Sequence, residues 1–78
     1  TRLVERRRVL KAGKLVFNDR MSVVDGTVRA LWETGAEIQV STSAGIPDDV
    51  TLEIPSSAVS WTGRVAVRRP QSLEIEFT

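Results

Sequence analysis

From Lys14 onward the chain alternates apolar and polar side chains with a period of two. Ala36, Ile38 and Val40 alternate with Glu37 and Gln39; Leu52 and Ile54 flank Glu53; Leu73, Ile75 and Phe77 alternate with Glu74 and Glu76. Rows of this kind predict strands with one buried face and one wet face. Val65 and Val67, in phase with Trp61 and Gly63, predict a further strand over residues 59–69. The segment Ser22–Leu31 keeps Val24, Val28 and Ala30 in phase, but Gly26 interrupts it, as at a bulge or a close approach of another backbone.

Turn chemistry separates these rows. Asn18-Asp19-Arg20, after Val16-Phe17, predicts a hairpin between the first two strands. Gly45-Ile46-Pro47-Asp48-Asp49 reads as a loop, and Arg69-Pro70-Gln71-Ser72 as the connection of the last two strands. About six strands result, and no window holds the spacing of an amphipathic helix. A single open sheet of six short strands would leave one face bare and its edges unpaired. The expected fold is therefore all-β: a small six-stranded antiparallel β-barrel with a basic N-terminal arm and no C-terminal helix. OB and SH3-like barrels fit the pattern equally. The expected division is an arginine-rich arm over residues 1–13 and a single barrel domain over 14–78.

Composition narrows the chemistry. A chain of 78 residues holds one core and not two. It has no cysteine, so hydrophobic packing must carry the fold without disulfides or thiolate metal sites. It also has no histidine, which removes the commonest general base and metal ligand. Asp48-Asp49 is an acidic pair in a proline-containing loop, where such pairs are usually solvated. Neither enzyme activity nor a metal site is expected. No segment approaches the roughly 20 apolar residues of a membrane span, and a cysteine-free chain suits a reducing compartment, so a cytoplasmic domain is expected.

The net charge of +1 is unevenly spread. Arg2, Arg6, Arg7, Arg8, Lys11 and Lys14 face Glu5 alone in the first 14 residues, a local balance of +5 that leaves −4 for the rest. This polarity argues for a localised anion site on the arm, since guanidinium groups offer forked donors to phosphates and to the guanine edge. The barrel is net acidic and separates its aromatic residues from the basic arm. That arrangement is unlike single-strand binders, so nucleic acid is not the expected partner. A small barrel that binds RNA is the weaker third reading.

The arm from Arg2 to Lys14, the run Gly26-Thr27-Val28-Arg29-Ala30-Leu31-Trp32-Glu33-Thr34-Gly35-Ala36, and the ending Gly63–Arg69 followed by Leu73–Phe77 resemble the PilZ domain across essentially the whole chain. The resemblance is one of layout more than of motif identity. It implies a six-stranded barrel acting as a bacterial receptor for cyclic di-GMP, often attached to an effector domain. The family's Arg-x-x-x-Arg element matches Arg2-Leu3-Val4-Glu5-Arg6, with Arg7 and Arg8 as alternatives if the register slides.

The family's Asp/Asn-x-Ser-x-x-Gly element, aligned on Gly35, holds Ala30 and Trp32 at its polar positions. Each lost hydrogen-bond partner costs about 1–3 kcal/mol, roughly tenfold or more in affinity. The site residues implied are thus Arg2, Arg6, Arg7, Arg8, Trp32 and Gly35, clasping cyclic di-GMP with weakened affinity. Trp32 has three roles open to it: filling the pocket, stacking on a guanine, or packing across the strand-to-turn junction. Taken alone, Gly35 suits a turn that needs positive φ better than it suits a ligand site. The alternative function is a barrel that has lost nucleotide binding and serves as a protein-interaction adaptor.

Overall fold

In the computed structural model, which describes residues 7–78, the chain runs β1 (Arg7–Phe17), β2 (Ser22–Trp32), β3 (Gly35–Gln39), β4 (Asp49–Ile54), β5 (Val59–Arg69) and β6 (Ser72–Phe77). A short 3-10 turn, Pro55–Ser57, joins β4 to β5. All pairings among the described residues are antiparallel, and the strands close into a barrel in the order β1-β2-β3-β6-β5-β4. The six-stranded barrel expected from the period-two rows is what forms. Among the described residues no helix is long and apolar enough to cross a membrane.

The apolar rows turn inward together. Leu15, Val28, Ala36, Ile38, Leu52, Ile54, Leu73 and Ile75 are buried in one cluster, joined by Val50 at the start of β4. So narrow a barrel has room for large side chains only where facing positions are small. Gly13 and Gly26 sit directly opposite each other on β1 and β2, and both lie against Ile38. A Cβ on Gly26 would stand 2.6 Å from the Gln39 carbonyl oxygen and 3.0 Å from Ile38 Cγ1. Of the two roles open to Gly26, close approach of a backbone is the one observed. β5 contributes least to the centre, with Gly63 buried and Trp61 stacked on Phe77 at the core's edge, centroids 4.8 Å apart.

The predicted hairpin between β1 and β2 closes through Asn18, Asp19 and Arg20, all with positive φ. The Met21 amide donates to the Asn18 carbonyl at 2.9 Å. Asn and Asp tolerate this conformation because their short side chains bond locally. The β1–β4 seam that closes the barrel spans only Lys14 to Val16 against Glu53 to Thr51. Next to it, Arg20 bonds Glu53 at 2.8 Å and ties the hairpin to β4.

Three irregularities interrupt the ladders. Val9 and Leu10 together stand against Arg29 in β1–β2, Arg29 is the extra residue of β2 relative to β3, and Ala66 is the extra residue of β5 relative to β6. A bulge changes the phase of everything beyond it. Val67, expected in phase with Val65, is consequently 36% exposed, and Arg68 takes the position opposite buried Leu73. There Arg68 Nη1 donates to the Ser43 carbonyl at 2.9 Å, and Nη2 bonds Asp48 at 3.1 Å. The same segment is bound to the β5–β6 turn by Val40 and Ser43 amides donating to Gln71 and Pro70 carbonyls at 3.0 and 2.9 Å. Ile46 from this segment is buried over the core.

Candidate functional site

The register aligns one row of outward positions across four strands: Arg8 on β1, Ala30 on β2, Glu37 on β3 and Glu74 on β6. Two residues further along lies the row Thr27, Gln39, Ser72 and Arg69. Arg29 emerges between them from its bulge. Bulges commonly re-aim side chains next to binding sites, and here the β1 and β2 irregularities meet at the same place. The result is a cleft of about 700 Å³ on the outer barrel surface, bordered by Arg8, Arg29, Glu37, Gln39, Arg69 and Ser72. Val9, Leu10 and Ala30 supply its apolar wall. The volume is in the range that holds a small organic ligand.

Three guanidinium groups therefore converge on one cleft from three strands. Arg29 is held by a neutral partner, donating from Nη1 to Gln39 Oε1 at 2.7 Å, and among the described residues no carboxylate matches its charge. Arg69 reaches Glu74 at a longer 3.4 Å. Among the described residues Arg8 and Glu37 form no ion pair. The cleft thus offers cationic forks to an anionic ligand and, within the same walls, one half-buried carboxylate.

Of the site residues expected from the sequence, Arg2 and Arg6 lie outside the described residues. Arg7 and Arg8 belong to β1, paired with Leu31 and Ala30, and Arg8 borders the cleft. Trp32 packs across the β2–β3 junction: a Cβ on Gly35 would lie 2.8 Å from the indole Nε1. It does not line the cleft. Gly35 is buried, its φ is not positive, and its Cβ would meet the Ile75 carbonyl oxygen at 2.4 Å. Its lack of a side chain serves strand approach, which corrects the expectation of a positive-φ turn.

Ala30 does stand at the cleft, at the position the motif alignment singles out. The pattern along the chain did not point to Arg29, Glu37, Gln39, Arg69 or Ser72, which meet only through register and bulges. Asp48 and Asp49 are each taken by an arginine, Arg68 at 3.1 Å and Arg64 at 3.3 Å. Comparison with protein-family models and with curated proteins finds no match to this chain.

Proposed function

We propose that the outer cleft is a receptor site for cyclic di-GMP and that the barrel is a signalling module of the PilZ kind. The observation that carries this reading is the convergence of Arg8, Arg29 and Arg69 on one cleft whose wall includes Ala30. A ligand that fits must bring anionic groups for Arg8 and Arg29, whose charges have no carboxylate partner among the described residues, and a flat polar body for the space between β1 and β3. A cyclic purine dinucleotide has both. Arg2 and Arg6 enter by the resemblance as further members of the clasp, and the arm they belong to leads directly into β1. The protein's output passes to a partner or an attached effector domain.

Calorimetric titration with cyclic di-GMP up to high micromolar concentration tests the reading. Binding is expected, and Arg8→Ala and Arg29→Ala are each expected to weaken it by about tenfold or more, the scale of a lost charged hydrogen bond. No heat and no change in tryptophan fluorescence would end it. That outcome would favour the adaptor reading, which rests on Ala30 and Trp32 standing where the motif calls for polar groups. Binding of a mixed-sequence oligonucleotide with steep salt dependence would point instead to RNA.

A further inference from the structure

Glu37 breaks a local rule. It stands directly opposite Glu74 in the β3–β6 ladder, and like charges facing each other across strands destabilise a sheet. Glu74 has Arg69 at 3.4 Å, whereas Glu37 has no ion pair or hydrogen bond among the described residues. Glu37 is also half-buried as a residue and borders the cleft. A feature that costs stability and forms no ion pair or hydrogen bond among the described residues points to a ligand.

The surroundings say which chemistry that ligand presents. On the other side of Glu37 its cross-strand partner is Ala30, a largely buried residue that lines the same cleft and has too short a side chain to fill it. Cross-strand neighbours have their Cβ atoms about 5 Å apart, so a planar group lying over Ala30 comes within reach of Glu37. Arg8 and Arg29 flank that space and favour anions, yet an ionised carboxylate accepts hydrogen bonds only. The group facing Glu37 must therefore donate, while the rest of the ligand carries negative charge. The N1–H and N2–H₂ edge of guanine gives two parallel donors that match the two carboxylate oxygens. Adenine places an acceptor, N1, where guanine has a donor.

Resting on the receptor reading above, we infer that Glu37 selects the base: its carboxylate accepts from the Watson–Crick edge of a guanine lying over Ala30, between phosphates held by Arg8 and Arg29. Ala30 is then the floor of the base subsite, and the acceptor comes from the neighbouring strand.

The experiment compares cyclic di-GMP, its inosine counterpart lacking the N2 amino group, and cyclic di-AMP on the wild-type chain and on Glu37→Gln. Wild type is expected to prefer cyclic di-GMP about tenfold over the inosine compound and about a hundredfold over cyclic di-AMP, the range of bidentate base readout. In Glu37→Gln the first preference is expected to fall below about threefold. The melting temperature of the variant should stay equal or rise, because the repulsion with Glu74 is gone. The ratio between ligands does not depend on how much protein is folded, so it remains readable in any variant. If wild type binds cyclic di-GMP but Glu37→Gln keeps the same base preference, this inference falls and the receptor reading stands. If wild type binds none of the three, both fall.

Discussion

Gly35 has a contact reason rather than a torsional one. Any Cβ there meets the Ile75 carbonyl oxygen at 2.4 Å on one side and the Trp32 indole on the other. The first neighbour is backbone in a paired strand and cannot step aside without separating β3 from β6. Gly35→Ala is therefore expected to cost about 1–3 kcal/mol or more, as overpacking does, measured by urea denaturation. An unchanged midpoint would contradict the close approach. Gly45 is the contrasting case: its φ is +83° and nothing lies within 4 Å of its Cβ position, so conformation alone asks for glycine. Both glycines look alike in the sequence, because neither a neighbour from β6 nor a φ value is written in it. Trp32 was open to three roles for the same reason, and its packing over Gly35 follows from the β2–β3 pairing of Trp32 with Gly35.

At the level of strands, the bulges decide more than the regular ladders do. Without the extra Ala66, period-two alternation would keep Val67 on the side of Val65 and put Arg68 on the outer surface. With it, Arg68 turns toward the segment after β3 and bonds both Ser43 and Asp48. Arg68→Ala should leave the Ser43 carbonyl with only the Ile46 amide, at 3.3 Å, and lose a charged hydrogen bond, a destabilisation of about 1–2 kcal/mol. Amide exchange read by NMR should quicken from Val40 to Ile46, and equal protection in the variant would show that the Gln71 and Pro70 contacts suffice. The strands themselves were legible because alternation reports a half-buried face directly. The bulges were not, because an extra residue is visible only against its partner strand. Arg29 illustrates this: in the sequence it is one polar position in an alternating row, and in the barrel it faces two residues of β1 on one side and is the extra residue against β3 on the other.

Across the whole barrel, the interior outweighs the charged surface. Domains of this size have a total stability of about 4–12 kcal/mol. Leu52 is fully buried at the centre of β4, and Leu52→Ala is expected to remove about 2–5 kcal/mol, enough to unfold much of the population near 37 °C. The exposed Arg64–Asp49 pair, with side chains 67% and 78% accessible, should contribute well under about 1 kcal/mol. Thermal melts of Leu52→Ala and Arg64→Ala should therefore separate widely, and a comparable loss in both would mean that surface pairing carries more of the fold than its exposure allows.

The sequence by itself determined the strands, the turn at Asn18–Arg20, the closed barrel and the basic character of the segment entering β1. Those properties follow from local alternation, turn chemistry and the need to cover a sheet's apolar face and edges. Only the tertiary structure decided which outward residues share a surface. Arg8, Arg29, Glu37 and Arg69 come from four strands, and their meeting depends on registers that shift by one residue at each bulge. A one-residue shift exchanges the two faces of a strand, so a site drawn from several strands stays hidden until pairing fixes them.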